Sequence, residues 1–305
     1  MNDRSKIRIG TRESELATWQ AGRVSDALQE LGYDTELVFV KSEGDLDLKT
    51  PIREMGGKGV FTKTLDRAQL SGKVDIAVHS FKDLPTENPL PLKVGAVLER
   101  ADPRDTLVAP DGIDFLRDSN YEAIIATGSN RRRAQWAHRY PQHRFVNLRG
   151  NVNTRLEKVA NNDWDGAIFA AAGLERIRLG HHISQYLDWM VSAAAQGAMA
   201  VMIREDDSEM EGIVLHLEDH DAALCSGLER DFLHDMEAGC SAPVGAYAFI
   251  EDQKLHFKAI AMTLDGTEQY YFEKVTPADK ADGLGHEAAK ELLSQGAQKV
   301  IDEME

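Results

Sequence analysis

Lys73-Val74-Asp75-Ile76-Ala77-Val78 is the segment that most narrows the fold. Its apolar, β-branched run lacks the alternation of a half-exposed strand and reads as a buried parallel strand, which requires a sheet covered on both faces. His79-Ser80-Phe81-Lys82-Asp83-Leu84 then runs into Pro85, which bars simple continuation as a helix. Ser80, Lys82 and Asp83 are therefore expected where a strand ends. In open α/β sheets ligands bind beyond the carboxyl ends of the strands, so a Lys beside an Asp at that level is placed for chemistry. Taken alone, these residues serve equally well as an exposed ion pair in a connecting loop.

The flanking chain repeats the same strand, turn and helix pattern. Lys6–Gly10 reads as a strand. From Ser14, a plausible N-cap, Ala17, Ala21, Val24, Leu28 and Leu31 recur at helical spacing until Gly32. Asp34–Val40 completes a βαβ unit. Residues 41–59 hold four glycines, one proline and many charges without any period. They lack the residue order of a phosphate-binding loop and fit a lid better. Helix signals cover Phe61–Leu70, and Lys93–Leu98 is a further strand. Asp102-Pro103-Arg104-Asp105 is a turn-rich break and candidate crossover to a second lobe.

The second lobe has strands at Ala123–Ala126, Arg144–Leu148 and Ala167–Ala170, each followed by a turn and a helix start. Met199–Ile203 reads as a strand returning to the first lobe, so two lobes with paired crossovers frame a cleft. A charged helix from Asp219 to Glu237 leads to a Gly/Ser/Pro loop holding Cys240. Strands at Gly245–Ile250, Leu255–Leu264 and Glu268–Val275 and a last helix, Ala278–Met304, close a small α+β domain.

Charge excludes some functions. The 305 residues carry 35 lysines and arginines against 51 acidic residues, a formal net charge of −16, which argues against nucleic acid or an anionic membrane as partner. Any anionic ligand must be drawn in locally, and arginines recur at the strand-to-helix turns: Arg12; Arg131 and Arg132; Arg149 and Arg155; Arg176. Three arginines, Arg131 to Arg133, in the first turn of a helix oppose its dipole, so a negative group is expected beside them. Each turn alone is an ordinary connection with a solvated arginine. Together they imply a ligand with several carboxylates, which guanidinium forks bind in bidentate fashion. Cys225 and Cys240 are too far apart for a C-x-x-C motif, so neither a metal site nor a disulfide framework is indicated. The N-terminus lacks the apolar core of a secretion signal and no apolar run is long enough to cross a bilayer, so a cytoplasmic protein is expected. Nothing suggests an exposed apolar seam, and a monomer is expected.

The ordered motifs Arg12-x-Ser14-x-Leu16-Ala17, Gly56-Gly57-Lys58-Gly59-Val60-Phe61, Val78 to Pro85, Asp102-Pro103-Arg104-Asp105, Ser129-x-Arg131-Arg132, Leu148-Arg149-Gly150-Asn151-Val152-x-Thr154-Arg155 and Glu237-x-Gly239-Cys240-x-x-Pro243-x-Gly245 together resemble the hydroxymethylbilane synthase, or porphobilinogen deaminase, family over essentially the whole chain. The resemblance implies an α/β fold of two lobes like type II periplasmic binding proteins plus a small C-terminal α+β domain with a three-stranded sheet. Residues 1–100 and 199–217 would form lobe 1, 101–198 lobe 2, and 218–305 the cofactor-attachment domain.

The implied activity is that of a transferase of porphyrin and heme biosynthesis. It joins four porphobilinogen molecules head to tail, releases ammonia, and frees the linear tetrapyrrole by hydrolysis. The chain grows on a dipyrromethane cofactor held by a thioether, by position at Cys240. Asp83 matches the catalytic aspartate, which assists loss of the aminomethyl nitrogen, stabilises the resulting azafulvene and takes the proton released after carbon–carbon bond formation. By resemblance Ser80, Lys82, Asp83, Thr127, Ser129, Arg131 and Arg132 hold the cofactor. Arg12, Ser14, Arg149 and Arg155 bind incoming substrate, Arg176 accommodates the growing chain, and Lys58 and Phe61 belong to the lid.

Some positions depart from the family pattern. Ser192 and Ala195 stand where proline and glycine are common, and Glu15 and Glu54 where proline and lysine are, so altered hinge stiffness and a less basic lid are expected. One rival reading is a non-catalytic polycarboxylate solute-binding protein, which leaves Asp83, Cys240 and the third domain without a role. Another is a different polycarboxylate-handling enzyme in which Cys240 is merely structural.

Overall fold

Apolar strands and side-chain-capped helices alternate through a computed structural model that describes residues 6–41, 62–87, 90–237 and 242–302. β1 (Ile7–Thr11) leads to α1 (Glu15–Glu30), whose N-cap is Ser14: its Oγ accepts from the Ala17 N–H at 3.3 Å. Ala17, Ala21, Val24 and Leu28 face inward as the spacing predicts. Leu31, expected on that face, is instead the exposed C-cap, and Gly32 with φ +90° turns the chain out of the helix. β2 (Thr35–Phe39), α2 (Lys63–Leu70), β3 (Ile76–Ser80) and β4 (Leu92–Leu98) follow. Of the expected α2 span, Phe61 lies outside the described residues.

Asp105 does not end the expected turn but starts β5 (Asp105–Val108), a fully buried strand. After it come β6 (Ile124–Ala126), α3 (Asn130–Arg139), β7 (Arg144–Val146), α4 (Val152–Ala160), β8 (Gly166–Ala170), α5 (Ala171–Glu175) and the short β9 (Gln185–Tyr186). β10 (Met199–Arg204), α6 (Ser208–Val214) and α7 (His220–Asp235) precede the meander β11 (Val244–Glu251), β12 (Lys254–Met262) and β13 (Gln269–Pro277). The expected single last helix is broken. A 3-10 turn at Ala278–Lys280 is followed by α8 (Leu284–Ser294) and α9 (Gln298–Asp302). Gly283 (φ +73°) and Gly296 (φ +107°) impose left-handed backbone at the two breaks, which a continuous helix excludes.

Three sheets result. The first is ordered β2-β1-β3-β10-β4, with β1 parallel to β2 and β3, and β10 antiparallel to β3 and β4. The second is ordered β7-β6-β8-β5-β9, with β6 parallel to β7 and β8, and β5 antiparallel to β8 and β9. β3 is thus buried as its sequence demanded, but in a mixed sheet. The third is the antiparallel meander, whose inner face packs Phe257 and Leu255 against Phe232 of α7 and Leu292 of α8. The chain divides into two compact units, Met1–Ala101 with Ala198–Ala223, and Asp102–Gly197 with Leu224–Glu305. No described helix is long and apolar enough to cross a membrane.

Candidate active site

In the first unit β1 and β3 run side by side, Gly10 opposite Ala77, and their carboxyl ends carry the expected residues. β3 stops at Ser80 and one 3-10 turn, Phe81–Asp83, follows. The Phe81 N–H donates to the Ala198 carbonyl at 3.0 Å, and the Leu84 N–H to the Phe81 carbonyl at 3.2 Å. Phe81 and Leu84 are buried, Lys82 is half-buried and Asp83 is exposed. Two apolar anchors thus pin a turn whose carboxylate faces solvent. The Ser80 Oγ accepts from Gln20 Nε2 at 2.9 Å, which leaves the hydroxyl proton to donate elsewhere.

Arg12 and Ser14 sit in the turn between β1 and α1, Ser14 already committed to capping. Burial, and then the charge of Arg12, push the His79 pKa down to about 3. His79 is therefore a neutral ring inside the sheet, and its Nε2 has no hydrogen-bond partner.

In the second unit the parallel strands β6, β7 and β8 present their carboxyl ends at one edge, and each exit holds expected residues. After β6, the buried Thr127 accepts the Ser129 N–H on Oγ1 at 3.2 Å, and Ser129 caps α3 by accepting the Arg132 N–H at 3.4 Å. Gly128 has no room for a Cβ, which would lie 2.7 Å from the Leu148 carbonyl oxygen. After β7, Asn151 caps α4 by accepting the Thr154 N–H at 2.9 Å. Arg155 Nε donates to the Gly150 carbonyl at 2.7 Å, and Lys158 Nζ to that of Arg149 at 3.0 Å. After β8, the largely buried Arg176 caps α5 and donates from Nη2 to the Gly197 carbonyl at 2.6 Å; burial pushes its pKa down to about 10. The arginine-bearing turns of this unit thus share one sheet edge.

The negative group demanded by the first turn of α3 is Asp105. Its carboxylate is completely buried and lies 2.6 Å from Arg131 Nη1 and 2.7 Å from Arg132 Nη2. Arg132 also gives Nε to Asp105 Oδ1 at 2.9 Å and Nη1 to the Ile168 carbonyl at 2.9 Å. Arg131 Nη1 also reaches the Val191 carbonyl at 2.8 Å. Burial alone would raise the Asp105 pKa; the two guanidiniums outweigh it and hold the carboxyl well below the ordinary range. Gln196 is the third residue to donate to Asp105, from Nε2 at 3.0 Å, while also reaching the Pro103 carbonyl at 2.7 Å.

As site residues, Asp105, Gln196 and Gln20 are not expected from the sequence. Gln20 had a signal, a polar residue on the inward face of α1 between Ala17 and Ala21. Asp105 had a weaker one, a carboxylate abutting the apolar run Thr106-Leu107-Val108. Cys240, Lys58, Phe61 and Glu54 lie outside the described residues.

Comparison with known proteins agrees along the chain. Residues 7–212 match the family model described as "Porphobilinogen deaminase, dipyromethane cofactor binding domain", and residues 223–294 that of "Porphobilinogen deaminase, C-terminal domain". A porphobilinogen deaminase of Syntrophotalea carbinolica is 39% identical over 301 residues, covering 97% of this chain and 95% of the relative. One of Syntrophomonas wolfei subsp. wolfei is 38% identical, covering 97% and 98%. A periplasmic substrate-binding protein of an ABC transporter from Coxiella burnetii is among the similar solved structures, with a TM-score of 0.43 at 12% identity over 73% of this chain and 96% of that one. The curated relatives give no support to the solute-binding alternative. With two family models in order across nearly the whole length and relatives 38–39% identical over 97% of it, the chain belongs to the porphobilinogen deaminase family.

Proposed function

We propose that this chain is a hydroxymethylbilane synthase. It is a transferase that condenses four porphobilinogen molecules head to tail on a dipyrromethane primer, releases ammonia, and hydrolyses off the linear tetrapyrrole. The primer is held by a thioether to Cys240, in an attachment domain of residues 218–305. Residues 1–100 with 199–217 and residues 101–198 form the two lobes. The protein works as a cytoplasmic monomer, with porphobilinogen as its ligand and neither nucleic acid nor membrane as partner.

The observation that supports this most is the arginine edge of the second sheet. Each pyrrole brings an acetate and a propionate, and the donors present fit such a group. Arg131 and Arg132 carry two charges against one on Asp105, which leaves an excess positive charge for a ligand carboxylate. Arg132 spends its Nε, Nη1 and Nη2 on Asp105 and Ile168, whereas Arg131 commits only Nη1. The remaining Arg131 donors, Thr127 and Ser129 would hold the primer, and by resemblance so would Ser80 and Lys82. When bound, the primer supplies the nucleophilic pyrrole carbon. Arg149 and Arg155 take the carboxylates of incoming substrate with Arg12 and Ser14, and Arg176 serves the lengthening chain.

Asp83 moves the proton. Asp83 passes a proton to the aminomethyl nitrogen as the substrate C–N bond breaks, so that ammonia leaves with the electron pair, and the carboxylate left behind stabilises the cation on the methylene carbon. After the new C–C bond forms, an Asp83 Oδ accepts the proton shed by the pyrrole carbon and has it ready for the next departing amine. Asp83→Asn is expected to keep the covalent primer acquired from preformed hydroxymethylbilane, seen by intact mass, while turnover falls by roughly 100-fold or more. Turnover within twofold of the parent would remove Asp83 from this role.

A further inference from the structure

The second unit holds a cavity lined by none of the residues given a catalytic or ligand-holding role above. It lies where the outer face of the meander meets α3 and the segment after β9. Gly266, in the turn after β12, approaches α3 so closely that a Cβ there would lie 2.5 Å from the Ala134 carbonyl oxygen, and the Gly266 carbonyl accepts a hydrogen bond from His138 Nδ1, 2.8 Å away. Ile260 and Met262 pack with Ala134 and Val191 along the same seam. Beside these contacts the seam opens into a cavity of about 550 Å³, the size of a small-molecule site.

Its chemistry is specific. Trp189, Tyr247, Ile260 and Met262 supply aromatic and apolar walls. Five charged side chains line it, three cationic and two acidic. Both acids are spoken for: Arg104 holds Asp102 at 2.6 Å and Asp188 at 2.9 Å. Lys258 lies 3.3 Å from Glu273. That leaves Arg139, which stacks 4.9 Å from the Trp189 ring centre and has no carboxylate partner among the described residues. Ser192, also in the wall, has an Oγ that is buried without any hydrogen-bond partner, a state that in a folded protein calls for an explanation such as a missing ligand. A cation without a counter-ion, an orphan hydroxyl and flat apolar walls match one class of molecule.

We infer that this cavity is a binding site for a flat aromatic carboxylate, the ring lying against Trp189, Tyr247 and Met262 and the carboxylate on Arg139. The site is separate from the arginine edge yet adjoins it, because Val191 in its wall is the residue whose carbonyl holds Arg131. It stands whether or not the synthase reading holds.

The test is a two-by-two calorimetric titration of the full chain, with 2-naphthoate and the uncharged 2-naphthamide against the parent and Arg139→Gln. Arg139 is exposed, so the variant is expected to fold. The parent should bind naphthoate with a dissociation constant on the order of 0.1 mM and naphthamide about tenfold more weakly. In Arg139→Gln that preference should vanish, and Gln269→Trp, which fills the cavity from its edge, should abolish binding of both. A preference for naphthoate that persists in Arg139→Gln would put the binding elsewhere, at the arginine edge, and overturn the assignment. So would undamped binding in Gln269→Trp, or no detectable binding to the parent.

Discussion

Asp105 sits with no solvent exposure between two guanidiniums, themselves nearly buried. Such a cluster is costly to break, because removing one charge strands the others in a poorly solvating interior. Asp105→Asn should destabilise the protein by about 3–5 kcal/mol in urea unfolding. Asp188→Asn, which removes an exposed partner of Arg104, should cost under about 1 kcal/mol. Equal losses would show that the buried cluster holds no special place. His79 gives a pH signature. Its folded pKa, about 3, is depressed below the ordinary 6.5 by burial and Arg12, so the unfolded chain takes up the proton first as pH falls. Almost nothing is lost above pH 7. Between pH 7 and pH 5 the parent should lose about 2 kcal/mol of stability that His79→Gln does not lose. Parallel stability profiles for the two proteins would contradict the buried neutral ring.

At the scale of elements, the segment after β9 shows how local conformation is forced. Ala195 has φ +59° and is fully buried, and its N–H donates to the buried Glu229 carboxylate at 2.6 Å. A Cβ is disfavoured in that left-handed region, so the alanine at 195 carries strain that a glycine would not. Ala195→Gly should raise stability by a net of about 0.5–1 kcal/mol after the entropy cost of glycine in the unfolded chain, read as a higher denaturation midpoint. A lower midpoint would mean the strain is absent.

The same reasoning explains which elements were legible. α1 could be read because its cap and its apolar spacing agree, and β3 because a buried run ends against Pro85. β5 was lost because a short strand beginning at an aspartate after a proline looks like a turn. The hairpin turn at Asp252-Gln253 carries φ of +49° and +62° without any glycine to announce it. At the site, the arginine turns were visible as residues at strand ends, but Asp105 and Gln20 were not, since their partners are 26 and 60 positions away. Those pairings are set by tertiary packing, which local pattern does not encode.

For the whole molecule, a net charge of −16 and a ligand rich in carboxylates are reconciled by concentrating arginine at the carboxyl edge of one sheet and leaving acidic residues in excess elsewhere. In the proposed function Asp83 moves the proton, the arginine edge binds carboxylates and Cys240 carries the primer. The account stands or falls on that cysteine carrying the primer. Intact mass of the purified protein and its Cys240→Ser variant, each before and after incubation with preformed hydroxymethylbilane, tests it directly. The account predicts that the parent, as purified or after incubation, carries an excess equal to two porphobilinogens less two ammonias, and that the variant never does. A parent that stays unmodified after incubation, or a variant that carries the same excess, would contradict it.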